Sequence, residues 1–163
     1  MKLTIMNQGS TLFLKTVLLL IAIGVLAALV WFPQTEGRAK DLDLLSIYTD
    51  PFIIYGYIAS LPFFGALYQA FRLLGFIEKN KAFTQKSVDA LRNIKNCAIA
   101  LSVFILGSEI FIMLNHGNDD AAGAVMMGFV VIFASFIIAT AAAVFQKLLQ
   151  NAVDIKSEND LTV

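Results

Sequence analysis

Four long apolar runs decide most of what this chain can become: Val17 to Phe32, Phe52 to Phe71, Cys97 to Leu114 and Ala121 to Phe145, of 16, 20, 18 and 25 residues. A hydrocarbon core about 30 Å thick needs ~20 residues of helix, with ~17 to 25 tolerated, so the last three runs span directly. The first reaches that length once Leu12, Phe13 and Leu14 join it and Lys15 extends its ammonium to the interface on a flexible stem. It ends in Trp31, Phe32 and Pro33. That ending lacks the small-x-small site of a cleaved leader and suits an interfacial aromatic belt, so an uncleaved helix is expected. Backbone groups in lipid must be satisfied within the chain itself. The expected fold is therefore an all-α membrane protein, a four-transmembrane-helix bundle formed by a single integral-membrane domain, residues 1–163, with spans near 12–32, 52–74, 96–114 and 121–146.

Composition agrees. Apolar residues make up 58% of the chain and charged ones 15%, against about 45 to 50% and 25% in soluble domains. Twelve basic residues balance twelve acidic ones, which argues against direct nucleic-acid binding through a broad basic surface. One cysteine, Cys97, and one histidine, His116, exclude a disulfide framework and a Cys/His zinc centre. There is no P-loop, dinucleotide fingerprint or nucleophile elbow. The expectation is a protein that is not an enzyme and has no cofactor.

The basic residues orient the spans. With the N-terminus inside, the inner segments carry Lys2, Lys15, Arg72, Lys79, Lys81, Lys86, Arg92, Lys95, Lys147 and Lys156, and the outer loops carry only Arg38 and Lys40. Ten against two predicts that both termini lie on the cytoplasmic side.

The outer loop Gln34 to Pro51 contains a short helical piece, Asp41 to Tyr48, with Leu42, Leu45 and Tyr48 along one side. The second outer connection, Asn115 to Asp120, is so short that helices three and four must form an antiparallel hairpin. On the inner side, Thr84 is placed to cap a helix, with Phe83 and Val88 positioned as a hydrophobic staple. Val88, Leu91, Ile94 and Ala98 then recur at helical spacing. One helix should run from this amphipathic segment, 84–96, into span three, unless the segment lies flat on the headgroups. After Phe145 the apolar positions continue through Leu148, Leu149, Ala152 and Val153, so span four should also extend into the cytoplasm, as a tail over 147–163.

Small residues at Ala124, Gly128, Ser135, Ala139, Ala142 and Ala143 let span four approach another helix closely. Packing within the chain is the favoured use, and a homo-oligomer seam the alternative. Glu109 is the ionisable group deep in a span. A lone carboxylate there is costly, so it should face the interior, stay protonated or bond Ser108 or Ser135. The functional version makes it an ion or proton relay. His116, Asp119 and Asp120 could touch a divalent cation from one outer turn, but a solvated turn is the simpler expectation. Cys97, at the inner interface, is expected to be a packing residue.

Two stretches carry a resemblance. The segment AFTQKSVDALRNIKNCA, Ala82 to Ala98, and the tail DIKSENDLTV, Asp154 to Val163, resemble the YoaS-like family of small bacterial membrane proteins, domain of unknown function 2975. Its members share the size, the four spans, a Phe-Thr start before a Leu-Arg-x-Ile helix, and a Glu-Asn-Asp-Leu-Thr ending. These are Phe83, Thr84, Leu91, Arg92 and Ile94, and Glu158, Asn159, Asp160, Leu161 and Thr162, followed by Val163. The family has no assigned catalytic residues. Its genes often neighbour one for a small helix-turn-helix regulator, so the resemblance implies a membrane protein that docks a cytoplasmic DNA-binding partner.

Both distinctive stretches fall on the same predicted face. The expected docking residues are Thr84, Leu91, Arg92, Lys95, Glu158, Asn159, Asp160, Leu161 and Thr162, with the acidic tail folding back on Arg92 and Lys95. The Leu161-Thr162-Val163 end could also serve as a strand-adding peptide. The competing function, from a different class, is a small transporter or ion-conducting oligomer that uses Glu109.

Overall fold

The computed structural model of the chain describes residues 2–35, 43–115 and 122–161, and those residues are almost wholly helical. Helix α1 is Lys2–Thr35, the short α2 is Leu44–Tyr48, α3 is Pro51–Glu78, α4 is Gln85–Asn115 and α5 is Ala122–Leu161. Four of them, α1, α3, α4 and α5, are long and apolar enough to cross a membrane. The amphipathic segment and the third span form one continuous helix, α4, and α5 runs unbroken for 40 residues.

The long helices that follow one another in the chain pack side by side and antiparallel. Between α1 and α3, Tyr57 Oη donates to the Leu29 carbonyl at 3.1 Å and Lys15 pairs with Glu78. Between α3 and α4, Tyr55 Oη donates to the Phe104 carbonyl at 2.7 Å and Phe52 stacks on Phe111 with centroids 5.9 Å apart. Between α4 and α5, Lys95 Nζ donates to Gln146 Oε1 at 3.2 Å, and Gln85 and Gln150 exchange amide bonds at 3.3 Å. Lys15, Glu78, Gln85 and Gln150 therefore gather at one end of the molecule, which is also rich in lysine.

A four-helix bundle was expected, and its long helices pack mainly on their chain neighbours, α1 on α3, α3 on α4 and α4 on α5. Among the described residues α1 packs on α3 and α2 and makes no extended contact with α4 or α5. Lipid gives the reason. Acyl chains are as apolar as leucine, so pressing one apolar helix on another gains little unless the surfaces interlock. In the most apolar stretch of α1 no residue is buried, whereas 22% of the same stretch of α5 is.

Interlocking is concentrated between α4 and α5. Ser87, Leu91, Ile94 and Ala98 are buried on α4 at alternating steps of four and three, the repeat that holds one face against a neighbour. Val88 beside them is 0% exposed. On α5 the buried positions are Gly128, Ser135, Ala139 and Ala142. Of the expected small-residue stripe, Ala124 is exposed and Ala143 half-buried, and the other four residues are spent inside the chain. The amphipathic segment thus buries its apolar face within the protein, between the helices that flank α4, and not on headgroups. Where water would otherwise reach Val88, Leu91 and Ile94, each burial contributes roughly 1.5 to 3 kcal/mol.

Local signals set the ends of the helices. Asp50 caps α3 by accepting from the Phe52 amide at 2.7 Å, with Pro51 in the first helical position. At its other end α3 closes in a Schellman turn. Lys81 N–H reaches the Phe76 carbonyl at 2.8 Å, Asn80 N–H reaches Ile77 at 3.0 Å, and Asn80 takes φ 55°. Asparagine tolerates that left-handed conformation and a β-branched residue does not. Asn80→Val should therefore cost about 1 to 2 kcal/mol, read as a lower unfolding midpoint in mixed micelles, while Asn80→Gly holds the wild-type value.

Two local expectations are corrected. Thr84 does stand immediately before α4, but its hydroxyl donates to the Lys81 carbonyl at 2.9 Å, and the Ser87 amide bonds the Thr84 carbonyl instead. The staple is absent: Phe83 is 59% exposed and lines a shallow groove with Ala152 and Ile155 of α5. In α2 the inward residues are Ile47 and Tyr48, with Leu45 turned out at 79% exposure. Tyr48 Oη donates to the Val30 carbonyl at 2.8 Å and accepts from Gln34 at 2.6 Å, which fixes the short helix on the end of α1.

Candidate functional site

Two places hold the residues singled out by sequence, and they lie far apart along the α4–α5 hairpin. The first is Glu109. It sits on the face of α4 that meets α5 and is 4% exposed. Its carboxylate fills the space over Gly128, where a Cβ would overlap it. Gly128 is thus the socket for this side chain, a complementarity that spacing along one helix could not reveal.

The expected hydroxyl partners do not engage it. Ser108 Oγ donates to the Ile105 carbonyl at 2.7 Å. Ser135 lies seven residues from Gly128, about 10 Å further along α5. Glu109 Oε2 has no hydrogen-bonding partner among the described residues. The carboxylate lies against the bare backbone of Gly128, with Oε1 the atom nearest to it. Cys97, on the same helix, is half-buried beside Gly65: a Cβ there would stand 3.3 Å from its Sγ.

The second place is the lysine-rich foot of the α4–α5 hairpin. Here the structure separates residues that the sequence grouped together. Leu91 is 9% exposed and lies in the packed interior, which removes it from any contact surface. Lys95 is half-buried on Gln146, and Arg92 lies outside with its guanidinium 3.7 Å from Asp89.

The acidic tail was expected to fold back on Arg92 and Lys95, and that expectation is corrected. The chain continues as helix to Leu161. Glu158 thus stands 12 residues beyond the Gln146 that meets Lys95, or about 18 Å at 1.5 Å per residue. A continuous helix cannot bring the two together. Thr162 and Val163 lie outside the described residues, as do His116, Asp119 and Asp120 of the outer turn.

The foot exposes apolar side chains as well as charge. Leu148 and Ile155 of α5 are 59% and 60% exposed, on the part of the helix where the buried small residues have ended. Neither stood out in the sequence, where Leu148 read as one member of a continuing apolar stripe and Ile155 was not singled out. Only the position of α4 shows that Leu149, Ala152 and Val153 are partly covered while Leu148, and Ile155 beyond the stripe, stay outside.

The comparisons with known proteins agree with this picture of a membrane protein without an assigned activity. A family model described as a protein of unknown function, DUF2975, matches residues 34–163. The chain is also similar to the uncharacterized membrane protein YoaS of Bacillus subtilis (strain 168), at 48% identity over 160 residues, covering 97% of this chain and 100% of that one. No solved structure matches it.

Proposed function

The chain belongs to the DUF2975 family of proteins of unknown function, and on that premise we propose that it is a non-catalytic docking protein of the bacterial cytoplasmic membrane, with both termini cytoplasmic. The observation that carries this reading is the foot of the α4–α5 hairpin. It is packed through Ser87, Val88, Leu91 and Ile94 and yet presents Arg92, Leu148 and Ile155 to the outside. A preorganised helical pair with exposed apolar anchors suits a partner of complementary surface. The partner class is a small helix-turn-helix DNA-binding regulator, as the family resemblance implies.

Two measurements test this. Solubilised full-length chain, the chain ended after Asn151, and the Leu148→Asp/Ile155→Asp variant serve as baits. A helix-turn-helix protein should be recovered by the first and lost from the other two, and equal recovery by all three removes the docking role. For topology, Ser87 is a poor reporter because it is 0% exposed. The exposed Lys79 replaces it: Lys79→Cys, with Cys97 replaced, should resist an impermeant thiol reagent in intact cells while Ser46→Cys is modified.

A second reading, ion conduction through an oligomer, draws on the unpartnered Glu109 Oε2. Reconstituted vesicles decide it. Flux that Glu109→Gln abolishes would establish conduction, and unchanged permeability on adding the protein would end it.

A further inference from the structure

At the lysine-rich end, residues of α1, α3, α4, α5 and the α3–α4 turn line a single open groove of about 930 Å³. It takes Lys15 from α1, Arg72 and Lys79 from the end of α3, Lys81 and Lys86 from the turn and the start of α4, and Lys156 from α5. Its lone acidic lining residue, Glu78, is already paired with Lys15. None of the other five cations has a carboxylate partner among the described residues. The first turn of the 31-residue α4 opens into the same groove through Thr84, Gln85 and Lys86, and adds the positive end of its dipole.

Five cations without carboxylate partners line one groove, and an anion seated in it is attracted to all of them. We infer that this groove binds the phosphate-bearing headgroup of an anionic phospholipid.

Its walls favour a lipid over a soluble phosphate. Phe71 and Phe76 line it, Arg72 lies 5.7 Å over the Phe76 ring and 5.8 Å over Tyr68, and Lys15 lies 5.4 Å over Phe71. Phe71 and Tyr68 are 44% and 62% exposed on the outer surface of the α3 span. The cationic groove therefore continues onto an apolar surface that faces lipid, as a headgroup joined to acyl chains requires. Basic pockets between spans at the membrane surface hold anionic headgroups by this combination of charge and apolar wall. The site needs the membrane reading of the four helices and is independent of partner docking.

The test uses the full chain in nanodiscs of phosphatidylcholine, titrated with a fluorescent cardiolipin or phosphatidylglycerol. The variants are Lys79→Gln and Lys156→Gln, singly and together with Lys86→Gln. All three side chains are exposed, so the fold is not at stake. The triple variant should bind at least ten-fold more weakly and each single variant about two- to three-fold more weakly. The control pair Arg92→Gln/Lys147→Gln, outside the groove and carrying two of the same charges, should change affinity less than two-fold. Equal losses in the control pair would overturn the site in favour of diffuse charge attraction. Indifference between cardiolipin and phosphatidylcholine would also overturn it. Displacement of the lipid by millimolar inorganic phosphate would overturn the lipid assignment and make the groove a soluble-anion site.

Discussion

Gly128→Ala should destabilise the protein by about 1 to 3 kcal/mol, the usual cost of forcing atoms into a packed contact. The added methyl would occupy the place of the Glu109 carboxylate, so a side chain only 4% exposed must shift within the α4–α5 contact. Unfolding in mixed micelles of increasing denaturing detergent reads the change as an earlier midpoint. Glu109→Ala in the Gly128→Ala background should recover most of the loss, because it removes the overlapping group. Glu109→Gln in that background should recover none, being the same shape. In the wild-type background Glu109→Gln should leave insertion and stability unchanged, while Glu109→Lys harms both. Strict additivity of the two alanine changes would show that Glu109 and Gly128 do not meet. Residues in contact are expected to couple by about 0.5 to 3 kcal/mol.

Ala142→Leu and Ala141→Leu should behave oppositely although they are neighbours with identical chemistry. Ala142 is 5% exposed against α4, and Ala141 is exposed on the outer face of α5. A leucine at 142 must push the helices apart across a seam built for close approach, at about 1 to 3 kcal/mol. A leucine at 141 meets acyl chains and should change stability by less than about 0.5 kcal/mol. If both were neutral in the isolated chain but altered its oligomeric state, the small-residue stripe would be a seam between copies and the α4–α5 packing described above would be wrong.

Parts of this architecture were legible residue by residue. Leu12 to Phe32 and the three longer runs specify spanning helices because lipid leaves the backbone few other ways to satisfy its polar groups. Val88, Leu91, Ile94 and Ala98 announced a helix continuous with the third span, and α4 is that helix. Leu148, Leu149, Ala152 and Val153 likewise announced the extension of α5. The Asp50-Pro51 start of α3 carried a readable capping signal that the hydropathy pattern overshadowed. Thr84 was placed correctly at a helix start, but whether its hydroxyl would cap the helix or turn back to Lys81 depends on the path of the preceding turn, which no local pattern specifies.

Apolar run length and periodicity thus determined the number and order of the long helices, which follow from the chain's own contact with lipid or water, but not the start of α1, which runs from Lys2 where a span from residue 12 was expected. Tertiary structure decided what touches what. Whether a helix packs beyond its chain neighbours depends on how well whole helix surfaces interlock, and lipid removes the general apolar pressure that would force closure. The seat of Glu109 on Gly128 lies across two helices, where a missing side chain matters as much as a present one. The groove of Lys15, Arg72, Lys79, Lys81, Lys86 and Lys156 exists only because antiparallel packing brings the ends of α3, α4 and α5 beside Lys15 of α1. In the sequence those six cations read merely as a charge bias between loops. Distance turns them into a site, because electrostatic repulsion and anion binding depend on separation in space, not on spacing along the chain.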